Sequence, residues 1–166
     1  MELTELVEKA LDSIKNKKNI LGQGTDGIVY AVDEKVVLKV HTGSENGNYY
    51  RHSSKESAEY EFKIGRRLYN KKVHLPKYLA LFEPLNHPSL DFWGVFMERI
   101  YGQKYDDLSY RSKREAKCQY KEQEKFIVNL GYYMTDNCFD HNTLFDIDKQ
   151  KLFLYDLVRW ERRPVR

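Results

Sequence analysis

Apolar residues return every three or four positions at the start of the chain, at Leu3, Leu6, Val7, Ala10, Leu11 and Ile14. That spacing predicts an amphipathic helix. The pattern then changes. "KNILGQGTDGIVYAV" and "KVVLKVHT" are rich in β-branched residues, and "DEK" at 33–35 is a tight connection between them, so a hairpin is expected. "GSENGN" reads as a loop. "SSKESAEYEFKIGRRLYN" predicts a second helix, capped by Ser53 or Ser54, with Tyr60, Ile64 and Leu68 on one face. "KYLALFEPL" and "FWGVFMERI" predict two strands around a polar turn, and "SKREAKCQYKEQEKFIVNLGYY" a third helix. "NTLFDIDKQKLFLYDLVRW" predicts a last hairpin turning at Asp148–Gln150. Helices thus alternate with hairpins, which describes an α+β protein with a mainly antiparallel sheet.

Composition narrows this only a little. A length of 166 residues suits one domain with a modest core. A formal charge of +3 is too small to argue for nucleic acid. No run approaches the roughly 18 apolar residues of a membrane span, and "MELTELVEKALDSIKNKK" lacks the apolar centre of a signal peptide. Cys118 and Cys138 suggest neither a disulfide framework nor a metal site, so a reducing compartment, the cytoplasm, is expected.

Chemistry enters with the glycines. Gly22, Gly24 and Gly27 fall within six positions and are followed by strand residues Ile28, Val29 and Tyr30. A dinucleotide fingerprint would open a helix at that point. A hairpin instead fits a loop that covers phosphates with backbone N–H groups, where a Cβ would obstruct approach. Lys39 lies twelve residues after Gly27, inside the apolar run "VVLKV". A buried ammonium needs a counter-charge or a phosphate, and Glu56, Glu59 and Glu61 on the next helix can provide the former.

Together, "GQGTDGIVY", "VVLKV" and "YEFKIGRRL" resemble the N-terminal lobe of the protein kinase-like superfamily. The family's helix glutamate has apolar residues at +1, +3 and +7. Glu61 has Phe62, Ile64 and Leu68 there, so the resemblance implies Glu61 as the partner of Lys39 and as support for its grip on the α- and β-phosphates. "WGVFMERIYGQKYDDL" resembles the stretch entering the interlobe linker, with Met97 behind the adenine and backbone groups of Glu98 and Ile100 hydrogen-bonded to it.

In the second half the motifs are degenerate. The resemblance implies Asn142 and Asp156 as Mg²⁺ ligands, with Leu157 and Val158 where phenylalanine and glycine usually follow the metal aspartate. Counting back five from Asn142 reaches Asn137, whereas counting forward from the helix end reaches Asp136. Asp136 is the catalytic base if the loop carries one extra residue. With Asn137 in that place the base is lost, and Asp140 is a third candidate. Met134 replaces the usual histidine or tyrosine, and His141 reads as a loop residue. Ten residues follow Asp156, so the resemblance implies a minimal kinase-like domain over 1–166. Its antiparallel N-lobe, with an extra helix, would occupy about 1–98, and a much-shortened C-lobe about 99–166. Bacterial effector, archaeal and viral kinases include short forms, which adds a host cytosol as a possible destination. The basic end, Arg159, Arg162, Arg163 and Arg166, is either a solvated tail or a docking element.

The expected activity is ATP- and Mg²⁺-dependent transfer of the γ-phosphate to a protein Ser or Thr, with a protein substrate and neither nucleic acid nor membrane as partner. A nucleotide-binding pseudokinase module and a small-molecule kinase are the alternatives. Oligomeric state is open.

Overall fold

The computed structural model describes residues 3–24, 27–41, 54–83, 92–134, 139, 142–155, 157 and 160–162. The chain divides into two compact units, one of residues 1–63 and 77–99, the other of residues 64–76 and 100–166.

The first unit is built on a five-stranded antiparallel sheet. Its strands are β1 (Ile20–Gly24), β2 (Gly27–Ala31), β3 (Val36–His41), β4 (Tyr78–Phe82) and β5 (Gly94–Glu98), in the order β1-β2-β3-β5-β4. The β2–β3 turn is fixed by Asp33, whose Oδ1 accepts from the backbone N–H of Lys35 at 2.6 Å and of Val36 at 2.8 Å. All six residues of β3 are buried, so both of its faces are covered. On one face Val36, Leu38 and Val40 join Tyr30, Val32, Phe82 and Phe96. Helix α1 (Leu3–Lys15) closes that core with Leu6, Ala10 and Leu11, while Val7 and Ile14 pack at its margin. Leu3 stays exposed, so the apolar stripe is narrower than the periodicity suggests. The alternate residues, Lys39 and His41, meet helix α2 (Ser54–Asn70).

Ser54 fastens the start of α2. Its Oγ donates to the His41 carbonyl at 2.6 Å and accepts from the Trp93 backbone N–H at 2.7 Å. The expected cap therefore bonds strand ends; Ser53 lies outside the described residues. Helix α2 contributes residues 54–63 to the first unit and 64–70 to the second.

The second unit centres on α3 (Tyr110–Asn129), whose Ser109 caps the Ser112 N–H at 3.2 Å. Ala116, Tyr120 and Ile127 form its buried face. The hairpin of β7 (Thr143–Asp146) and β8 (Lys151–Leu154) is clamped by Gln119, which accepts from Leu152 N and donates to Gln150 O, both at 2.9 Å. Its turn spans Ile147–Gln150, one residue earlier than expected, because Asp146 accepts from the Lys149 N–H at 3.0 Å and pairs with the Lys149 ammonium.

Two elements correct the sequence reading. The third helix does not run through Tyr133. It stops before Gly131, whose φ of +86° is the left-handed conformation that ends helices. Tyr132–Met134 then form β6, paired antiparallel with β9, Trp160–Arg162. Arg162, expected in a tail, and Trp160, expected in the last hairpin, thus belong to a separate ribbon. No described helix is long and apolar enough to cross a membrane.

Candidate functional site

The i, i+2 spacing of Lys39 and His41 puts both side chains on one face of β3. Lys39 Nζ lies 2.8 Å from Glu61 Oε2, with both side chains buried. His41 Nε2 approaches the same oxygen at 3.1 Å, and the Tyr78 hydroxyl donates to Oε1 at 3.2 Å. Of the three glutamates open to choice, Glu59 is exposed and faces Lys55 at 3.9 Å, and Glu56 is also exposed. Only Glu61 points inward, because its neighbours Ala58, Ile64 and Leu68 carry the buried face of α2.

Burial alone would raise the Glu61 carboxyl. The Lys39 charge, followed by the His41 contact, outweighs it and holds the group down at about 2. A carboxyl lowered on folding stabilises the fold above its unfolded value, near 4.5, and that contribution disappears as pH falls toward 2. Wild type should therefore melt higher than Glu61→Gln at pH 7, and the gap should narrow steadily below about pH 4.5. Melting temperatures taken from pH 7 to 3 check this; a constant gap would show that Glu61 is not held ionised.

The three glycines answer to different demands. A Cβ on Gly27 would collide with the Val40 carbonyl, because Gly27 sits against β3 in the register Gly27–His41. A Cβ on Gly22 or Gly24 would meet nothing within 4 Å. Gly27 therefore serves strand packing, while Gly22 and Gly24 leave an open face on β1. Gly27→Ala should destabilise by about 1–3 kcal/mol, as overpacking does. Gly24→Ala should stay within about 0.5 kcal/mol. Chemical denaturation distinguishes the two.

Met97 is buried in β5 between Val37 and Tyr78 of the flanking strands. The Glu98 N–H donates to Lys77 O at 2.9 Å. Ile100 follows, half-buried, at the start of the second unit's main segment.

In the second unit, Asn142 is half-buried just before β7, and its carbonyl accepts from the Tyr155 N–H at 3.0 Å. The hairpin therefore returns the chain so that Asn142 lies opposite the residue before Asp156. Asp156, Asp136, Asn137, Asp140 and His141 lie outside the described residues. Leu157 is fully buried.

Two contributors were missed by sequence reasoning, His41 and Tyr78. His41 carried a visible signal, its two-residue spacing from Lys39. Tyr78 carried none, since only the folded sheet brings β4 to Glu61.

No protein-family model matches the chain, and no curated protein matches it. Solved structures do. Vaccinia related kinase 3 superposes with a TM-score of 0.53 at 14% identity, over 87% of this chain and 47% of that one. WbdD superposes with a TM-score of 0.56 at 15% identity, over 86% of this chain and 33% of that one. WbdD with the kinase inhibitor LY294002 gives 0.53 at 12%, over 85% and 32%. The chain spans less than half the length of each. With the antiparallel sheet, the β3–α2 ion pair and the second helix-and-hairpin unit in place, these likenesses establish a protein kinase-like fold.

Proposed function

We propose that the chain is an ATP- and Mg²⁺-dependent phosphotransferase acting on a Ser or Thr hydroxyl of a protein. The observation that carries this reading is the buried Lys39–Glu61 pair, 2.8 Å apart, in a kinase-like fold. The residues fit a nucleotide. Lys39 brings an ammonium already aligned by a carboxylate, and Gly22 and Gly24 leave room for phosphates beside the β1 backbone. Glu61 orients Lys39 and keeps it charged. Lys39 then offsets charge on the α- and β-phosphates. The Glu98 carbonyl and the Ile100 backbone would hold the adenine, with Met97 behind it. Asn142 and Asp156 offer the hard oxygen donors that Mg²⁺ prefers, and a bound Mg²⁺ would supply neutralisation of phosphate charge. Asp136 would accept the acceptor hydroxyl's proton, with Asn137 as the rival for that position.

The test is incubation with Mg²⁺ and γ-labelled ATP. Label on the protein or on a generic protein acceptor, absent from Asp156→Ala, supports the reading. Label on a sugar or aminoglycoside instead shifts the acceptor class. Saturable ATP binding without turnover would make the chain a nucleotide-binding interaction module.

A further inference from the structure

His41, beside the Lys39–Glu61 pair, has no part in the proposed mechanism. His41 is 1% exposed, and its Nδ1 has no hydrogen-bond partner among the described residues. Its Nε2 is 3.1 Å from Glu61 Oε2 but off the line of a hydrogen bond, so the two groups are in close polar contact without a well-aligned bond. An imidazole buried this deeply is costly unless its placement is compensated.

The placement is not loose. The His41 carbonyl accepts from Ser54 Oγ at 2.6 Å, and its N–H donates to Trp93 O at 2.9 Å. The ring therefore projects from a backbone held at both polar groups. Among the described residues, the charged and polar groups facing the cluster are Lys39 from β3, Glu61 from α2 and Tyr78 from β4. Glu61 Oε2 is thus approached by two nitrogens from a single strand, and Oε1 accepts from the Tyr78 hydroxyl on another. A carboxylate with one partner can swing about its last torsion. One crowded by three polar groups has less room to do so.

We propose that His41 is a positioning residue, which holds Glu61 Oε2 in place so that Lys39 can turn toward a phosphate without leaving the buried carboxylate alone. The proposal rests on the phosphotransferase reading for its purpose, but not for its geometry. This role requires a hydrogen on Nε2, because a lone pair there would repel the carboxylate oxygen.

Acylation of Lys39 by a small amine-reactive ester, followed by mass spectrometry from pH 6 to 10, reads the cluster in the free protein. His41→Leu should move the Lys39 profile to lower pH, because a buried ammonium that loses its aligned counter-charge gives up its proton more easily. His41→Gln keeps an N–H donor and should return the profile to wild type. A wild-type profile in His41→Leu, or a shift to higher pH, would overturn the role. Should His41→Leu fail to fold, nitrogen NMR of the wild-type imidazole decides: a hydrogen on Nε2 supports the proposal, and a hydrogen on Nδ1 alone overturns it. Mg·ADP affinity completes the test, with Kd expected to rise about tenfold in His41→Leu and to recover in His41→Gln. If wild type binds no nucleotide, the phosphotransferase reading fails, while acylation and NMR still decide the role of His41.

Discussion

A Lys39→Met protein is expected to fold and to lose at least about a hundredfold in phosphoryl transfer, the scale seen when one preorganised charge is removed from developing negative charge. Methionine fills most of the lysine's volume, so β3 should still pack on both faces. The change is not silent for stability, however. It leaves the Glu61 carboxylate buried with His41 and Tyr78 as its partners among the described residues. Breaking a buried pair from one side costs about 3–5 kcal/mol, and the two remaining partners should reduce that. The double variant Lys39→Met with Glu61→Gln removes the stranded charge. It should melt higher than the single variant and remain inactive. Calorimetry and label transfer on both proteins check this. Recovery of activity in the double variant would show that the single variant had failed through instability alone.

The second large effect lies on the opposite face of the sheet. Ala10 is completely buried where α1 meets the core of Tyr30, Val36, Leu38, Val40 and Phe96. Ala10→Asp forces an unpaired carboxylate into that apolar layer, with no partner among the described core residues. The cost should exceed about 3 kcal/mol, enough to unfold much of a domain whose total stability is of order 5–15 kcal/mol. Glu8→Gln, on the exposed side of the same helix, should stay within about 0.5 kcal/mol. Urea denaturation of the two proteins measures the difference. A stable Ala10→Asp would show that α1 is not needed to close the sheet.

Much of this architecture was legible because its signals are local. The α1 stripe, the Asp33 turn, the α2 face and the β7–β8 hairpin each follow from periodicity or from a side chain bonding its own backbone neighbours. Glu61 was separable from Glu56 and Glu59 only through the resemblance, whose helix glutamate has apolar residues at +1, +3 and +7, as Glu61 has in Phe62, Ile64 and Leu68 and Glu59 matches less well. What stayed hidden depends on distant pairing. The β6–β9 ribbon joins residues nearly thirty positions apart, and three-residue strands carry too little alternation to announce themselves. The packing constraint on Gly27 stayed hidden for a related reason: its cause is a carbonyl thirteen residues away on β3, invisible until the strands are in register. The catalytic loop is different. There the two counts to Asp136 and Asn137 disagree within the sequence itself.

The fastening at Ser54 has a mechanical consequence. A helix tied at one end to two strand ends cannot slide along its axis without breaking those bonds, but it can tilt about them. Glu61 lies seven residues along α2, an arm of about 10 Å at 1.5 Å per residue. A tilt of about 10° would carry its carboxylate about 2 Å, more than enough to part it from Lys39 while Ser54 keeps its grip. In such a tilt Ser54 would be the fulcrum, and the ion pair would sit where the travel is large.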